Sequence, residues 1–265
     1  SAYKADTTHE LFGAIGYLSE LNLFKKIEEN SKHFLTPKML IRYAPGHMRE
    51  ETGTTRLNHS NVFTLDRLNT NKNFESGLST TLGFDYELEQ SDKKLNFSIA
   101  QIINEKENRD MPSSSSLDQR FSDVVGHSEL EINDNLKFSY NFALDQNYGQ
   151  LNYNEFGANL DFNPVKFDFN YLQEKEHLGD QEYFKGKVGF IPNENTLFSA
   201  ETKRNLITSS AEYYNLSYEY TNDCLRAGLV YRREFYNDSE LEPEDSLMFK
   251  ITLTPFGNIN SPSFN

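Results

Sequence analysis

Apolar and polar residues alternate with a period of two in segment after segment, the mark of strands that hide one face from water. In GLSTTLGFDYEL, Leu78, Leu82, Phe84, Tyr86 and Leu88 share one face, and Gly77, Ser79, Thr81, Asp85 and Glu87 share the other. KFSYNFAL sets Phe138, Tyr140, Phe142 and Leu144 against Lys137, Ser139 and Asn141, and EFGANLDFN, VKFDFNY, YNLSYEYT, LRAGLVYR and DSLMFKITLTPFG repeat the pattern. The charged residues Asp85, Glu87, Lys137, Asp161, Lys166, Asp168, Glu219, Arg226, Arg232 and Lys250 fall on the polar face. A face without charge suits a sandwich core and a lipid-facing barrel wall equally, so periodicity alone does not choose.

The links between strands do choose. The pattern predicts thirteen strands, at residues 10–24, 34–44, 75–89, 94–104, 122–132, 136–144, 155–163, 165–172, 182–191, 196–203, 211–221, 224–233 and 246–256. Read back from the C-terminal end, their links alternate in length: long REFYNDSELEPED, short ND, medium RNLITSS, short PNEN, long QEKEHLGDQ, short NP, long DQNYGQLNYN, short NDN. Outer-membrane barrels alternate in this way, with tight periplasmic turns and long outer loops, whereas a Greek-key sandwich has no reason to. The expected fold is therefore all-β, an antiparallel transmembrane barrel. An odd strand count, and a chain opening on SAYKADTTHE rather than Met, lead us to expect a portion of a larger barrel.

The expected barrel region spans 1–257, followed by a periplasmic tail at 258–265. HELFGAIGYLSELNLF also carries a helical stripe through Leu11, Ile15 and Leu18, but reads better as a strand. Residues 46–74 and 105–121 are expected to be long extracellular loops, and SNVFTLDRL, inside the first, is not expected to be a wall strand.

Composition narrows function. Forty acidic against 26 basic residues give a net charge of −14, which disfavours nucleic acid as a partner. Mean hydropathy is −0.70, yet 21 Phe and 15 Tyr are too many for a disordered acidic chain. No run approaches the roughly 20 apolar residues of a membrane helix, and no secretory signal is evident. The six histidines show no H-E-x-x-H spacing, and GHS at 126–128 lacks the glycines of a nucleophile elbow, so no catalytic residue, metal ligand or cofactor is expected. NDSELEPED is rich in oxygen ligands but lacks the glycine and spacing of an EF-hand loop. The lone cysteine, Cys224, follows the short turn ND, which places it at the periplasmic rim, where a thiol can be oxidised by a partner outside this chain.

HFLTPKMLIRYAPGHMR, NVFTLDRLN with ESGLSTTLGFDYEL, MPSSSSLDQRFSDVVG and NDCLRAGLVYRREFYNDSELEPEDSLMFKITLTPFG together resemble the C-terminal barrel half of the LptD family, in its alphaproteobacterial form. The resemblance runs from about residue 10 to residue 257. It implies an outer-membrane translocon that inserts lipopolysaccharide into the outer leaflet of a Gram-negative cell, with sugar passing through the lumen and lipid leaving by a lateral gate beside the last strand. It implies LptE as plug, LptA as periplasmic bridge, the barrel-assembly machinery during insertion, and contact with outer-membrane lipids. By the same comparison Cys224 bonds to an N-terminal region. Many relatives carry a second adjacent cysteine, where this chain has Leu225.

The resemblance makes DSLMFKITLTPFG the last strand and one lip of the gate, carrying Leu247, Phe249, Lys250, Ile251, Thr252, Leu253 and Pro255. Asp85, Glu87, Lys137, Asp161, Asp168, Glu219, Arg226 and Arg232 are then lumen-facing, in a lumen whose acidity suggests bridging divalent cations. Two other readings stay open on the residues alone: a porin or nutrient channel, and a soluble β-sandwich binding module.

Overall fold

A computed structural model describes residues 13–28, 30–52, 56–68, 73–235, 244–253 and 257–260. The strands are β1 (Ile15–Glu20), β2 (Leu23–Glu28), β3 (Ser31–Ala44), β4 (Gly77–Gln90), β5 (Lys93–Asn104), β6 (Val124–Asn133), β7 (Leu136–Leu144) and β8 (Leu151–Phe162). They continue as β9 (Val165–Glu174), β10 (Gln181–Asn193), β11 (Thr196–Asn205), β12 (Ser210–Thr221), β13 (Leu225–Glu234), β14 (Glu244–Leu253) and β15 (Gly257–Asn260). All join one sheet in the order β1, β3, β4 and onward to β15, with β2 also on β3. Every neighbouring pair is antiparallel, so the sheet is a meander of hairpins.

The strand expected at 10–24 is two pieces, and residues 10–12 lie outside the described residues. β1 pairs with Lys38–Tyr43 and β2 with Ser31–Leu35, so the break falls opposite Thr36 and Pro37. Proline brings no backbone donor to the ladder. Leu21 N still donates to Pro37 O at 3.1 Å, and both halves stay on the same edge of β3.

Short and long links alternate as the sequence predicts. Those at 29–30, 91–92, 134–135, 163–164, 194–195 and 222–224 are tight, while 45–76, 105–123, 145–150, 175–180 and 235–243 are longer. Asparagine builds several of the tight ones by accepting from the backbone two residues on: Asn133 Oδ1 from Asn135 N at 2.9 Å, Asn193 Oδ1 from Asn195 N at 3.1 Å, and Asn222 Oδ1 from Cys224 N at 3.0 Å.

The register aligns the apolar faces. Phe162, Val165, Phe190, Phe198, Tyr218, Leu229 and Phe249 oppose one another in turn from β8 to β14. In this row Phe162 is 53% exposed and Leu229 40%. No second sheet covers this face among the described strands, which removes the sandwich reading; a continuous exposed apolar belt is what a barrel wall presents to lipid. Gly126 opposes Phe142, whose ring occupies the space a Cβ would need, with Cζ at 2.3 Å from that position.

The buried core lies on the opposite, polar face. Met48, Leu57, Val62 and Leu68 of the 45–76 link and Met111 and Leu117 of the 105–123 link pack with Ala100, Ile102, Val125, Ala143, Tyr153 and Leu172 of the sheet. The two long loops therefore fold back over the polar face. The 45–76 loop contains no strand among its described residues, as the sequence reading of SNVFTLDRL expects.

The C-terminal end differs from expectation. β14 stops at Leu253, and residues 257–260, expected to leave the sheet, pair with it: Lys250 opposite Asn260, Ile251 opposite Ile259, Thr252 opposite Asn258 and Leu253 opposite Gly257. The strand carrying Leu247 to Leu253 is thus flanked on both sides, and β15 is the outer one. Pro255 and the tail beyond Asn260 lie outside the described residues.

Candidate functional site

Strand alternation puts all eight sequence-predicted lumen residues on the polar face. Asp85 opposes Ser98, Glu87 opposes Asn96, Lys137 opposes Asn159, Asp161 opposes Lys166 and Asp168 opposes Lys187. Glu219 opposes Gly228, Arg226 opposes Thr252 and Arg232 opposes Ser246. Lys38 Nζ lies 2.6 Å from Asp85, Lys94 Nζ 2.8 Å from Glu87, Lys137 Nζ 2.7 Å from Glu131, Lys166 Nζ 2.6 Å from Asp161 and Arg226 Nη2 2.9 Å from Glu219. The face is a ladder of opposite charges, not the uniformly acidic surface that net charge suggests. Among the described residues no three His, Cys, Asp or Glu side chains gather as a metal ion would need. Exposed pairs of this kind contribute at most about 1 kcal/mol each, so they set the character of the face more than its stability.

At the end of the strands bearing the long loops, the face is covered. Arg67 and Glu75, with side chains 0% and 3% exposed, form a buried ion pair. Arg67 Nη1 donates to both Glu75 oxygens at 3.0 and 2.9 Å, and Nη2 donates to Thr81 Oγ1 at 3.1 Å. Arg42 on β3 donates to Leu65 O and Glu75 O, both at 2.8 Å. Two arginines thus bind the loop's backbone and side chains to the wall, which suits guanidinium because its fixed fork satisfies several acceptors at once.

Three loops meet a short distance away. Arg56 Nε donates to Glu174 Oε1 at 2.8 Å, and its guanidinium lies 4.3 Å from the centre of the Tyr153 ring. His177 Nε2 is 3.1 Å from Asp123 Oδ2 and its Nδ1 is 3.7 Å from Glu174, while His177 N donates to Ser114 O at 3.0 Å. Asn152 Nδ2 supplies a further hydrogen bond to Asp123 at 2.9 Å. Burial alone lowers the affinity of His177 for a proton, but Asp123 and Glu174 outweigh it, so its pKa lies above the ordinary 6.5. The junction ties the 45–76, 105–123 and 175–180 links together.

Below the cover, the His59 ring stacks on His127 with centroids 4.3 Å apart, and His127 Nδ1 is 2.7 Å from Asn141 Oδ1. Burial, then the neighbouring His127, hold the His59 pKa below 6.5. A cavity of about 330 Å³ lies here between loop and wall, lined by Lys38, His59, Phe63, Asp85, Glu87 and Asn96 among others.

None of Arg42, Arg56, Arg67, Glu75, Asp123, Glu174 and His177 is singled out by the sequence. Several partners lie far along the chain, 118 residues apart for Arg56 and Glu174 and 54 for Asp123 and His177, while Arg67 and Glu75 are eight apart within one link that carries no periodicity. The available signal was Leu57, Val62, Leu65 and Leu68, apolar side chains in a segment that is not a strand.

The remaining sequence-predicted residues lie elsewhere. Leu247, Phe249, Ile251 and Leu253 share the apolar face with Tyr231, Leu229, Ala227 and Leu225, while Lys250 and Thr252 share the polar face with Gly228 and Arg226. Cys224 is exposed in the turn between β12 and β13, at the end of the sheet opposite the folded-back loops.

A model of the LptD family, described as LPS transport system D, matches residues 18–223. The chain belongs to the LptD family. It is accordingly an outer-membrane β-barrel chain of a lipopolysaccharide transport system. No curated protein matches it closely in sequence. Among solved structures it is similar to a substituted variant of the Rh. blastica porin at 7% identity, covering 93% of this chain and 90% of that one with a TM-score of 0.42. It is also similar to a chain described under "Asymmetric conductivity of engineered proteins", at 8% identity, the same coverage and the same score. Membership of LptD rests on the family match and not on these.

Proposed function

We propose that the polar face, with the two loops folded onto it, lines the path by which this LptD-family wall passes lipopolysaccharide sugar outward while lipid leaves beside the terminal strand. The observation that carries the reading is the cover itself: in a family that exports a large amphiphile, loops 45–76 and 105–123 occupy the polar face near the long-loop end. Cargo moving along that face must displace them. The long links then lie outside the cell, and the turn bearing Cys224 lies in the periplasm, where the thiol bonds to an N-terminal region of the full-length protein.

Because β15 pairs outside β14, the lip of the lateral gate is assigned to β15, and Leu247, Phe249, Lys250, Ile251, Thr252 and Leu253 form the strand that supports it. Pro255 lies between the two. Family resemblance supports LptE as the lumenal plug, LptA as the source of substrate and the assembly machinery as the route of insertion.

The test is photocrosslinking in exporting cells. A photoreactive residue in place of Asp168 or Glu219 is expected to capture lipopolysaccharide only while export is energised. Capture that is absent, or that persists equally in de-energised cells, would overturn the assignment of this face to the path.

A further inference from the structure

Two rows of side chains cross the apolar face from β9 to β12. One runs Phe167, Val188, Ala200, Leu216, and the next runs Phe169, Gly186, Thr202, Tyr214. Bulky groups stand on the outer two strands and smaller ones on the middle two, so the register leaves a trough along β10 and β11. Its volume is about 400 Å³, within the range of small-molecule sites. A Cβ at Gly186 would meet only Phe184 Cε2, at an ordinary 3.5 Å, so the backbone does not demand glycine there. The missing side chain serves to open the trough.

Charge stands at its loop-ward end. Arg204 follows Thr202 on the same face of β11, is exposed, and has no carboxylate partner among the described residues; its Nη2 donates to Ser209 O at 3.1 Å. Arg233 opposes Tyr214 on β13, also exposed, with Nε 3.8 Å from Asp245. An arginine on the lipid side of a wall, at the level of the headgroups, is suited to phosphate, which its fork binds through two parallel hydrogen bonds.

We propose that this trough seats one acyl chain of a phosphorylated glycolipid of the outer leaflet, with the phosphate on Arg204. The assignment rests on the reading above only in placing the long-loop end outside the cell. It makes the wall itself, away from the gate, a holding site for the class of lipid that the LptD family transports.

The test uses the full-length protein with its plug partner in nanodiscs of phosphatidylethanolamine doped with bisphosphorylated lipid A, with retained lipid counted by native mass spectrometry. The unaltered protein should retain one lipid A. Ala200→Phe and Gly186→Leu, which fill the trough, should each reduce retention at least tenfold, while Ala227→Phe, on the same face outside it, should not. Arg204→Ala, which adds no bulk and stays informative if the filled variants fail to fold, should abolish the preference for lipid A over phosphatidylethanolamine. Unchanged retention in the filled variants, or an unchanged preference in Arg204→Ala, overturns the proposal, as does retention of phosphatidylethanolamine in place of lipid A by the unaltered protein. Export is scored separately in cells: lipid retention that ignores the trough while export proceeds refutes the seat alone, and failed photocapture at Asp168 with retention intact refutes only the path.

Discussion

Replacing Glu75 by alanine should release the 45–76 loop from the wall. The carboxylate is 3% exposed and receives two hydrogen bonds from Arg67, whose own side chain is 0% exposed. Its removal leaves a guanidinium buried with, among the described residues, only the Thr81 hydroxyl at 3.1 Å and the more distant Ser79 hydroxyl as acceptors. Breaking a buried pair by removing one partner costs about 3–5 kcal/mol. At about 1.4 kcal/mol per tenfold, the loop's open fraction should rise by roughly two to nearly four orders of magnitude. Hydrogen exchange reads this directly, at Val62 N and Thr64 N, which donate to Asn58 O and Asn61 O within the loop. The backbone carbonyl of residue 75, which accepts from Arg42, is untouched, although the buried Arg42 also loses the carboxylate's charge. Removing both charges together, as Arg67→Met with Glu75→Leu, should restore protection to near the original value, because an apolar pair of similar volume is often neutral or stabilising. Exchange in Glu75→Ala within about threefold of the original, or a double variant as open as the single one, would show that this ion pair does not hold the loop.

Other outcomes follow from the same geometry. His177 has a raised pKa in the folded protein, so its contribution is complete below the ordinary value near 6.5 and is lost as pH rises through the raised one; cleavage of the 175–180 link by added protease should increase toward alkaline pH, and His177→Gln should flatten that profile. His59 has the opposite sign, since its lowered pKa makes its seat on His127 weaken as pH falls; NMR titration should place its midpoint below that of an exposed histidine. Leu229→Arg, at a 40% exposed position on the apolar face, should cost about 2–4 kcal/mol of folding stability in lipid vesicles if it lies near the bilayer midplane, whereas Ser217→Arg, on the polar face opposite Val230, should cost far less. Cys224→Ser should change the non-reducing gel mobility of the full-length protein; unchanged mobility would remove the disulfide.

The strands were legible because Phe138, Tyr140 and Phe142, or Leu247, Phe249 and Ile251, repeat a period of two that lipid enforces on every wall residue. The rule weakens where apolar side chains also occupy the polar face. β8 begins at Leu151 and not 155 because Tyr153 packs beneath Arg56 on that side, which masks the alternation. Pro37 splits the first strand through a backbone property that hydropathy does not register. The covered site was illegible for a different reason. Asp123 and His177 gain their roles from contact between distant segments, and Arg67 and Glu75, eight residues apart, are buried only because their loop folds back on the wall; in sequence all four resemble any solvated loop charge. β15 escaped because GNIN, at 257–260, is too short and too polar to show a period at all.

If the polar face is the path, the loops over it must move for cargo to pass. The direct test is to place cysteines at His59 and His127, whose rings lie 4.3 Å apart, and to join them in cells with a short bismaleimide, using each single cysteine as control. Newly made lipopolysaccharide should stop reaching the cell surface in the double variant only after cross-linking. Export that continues at its normal rate with the loop demonstrably tied to the wall would contradict that requirement.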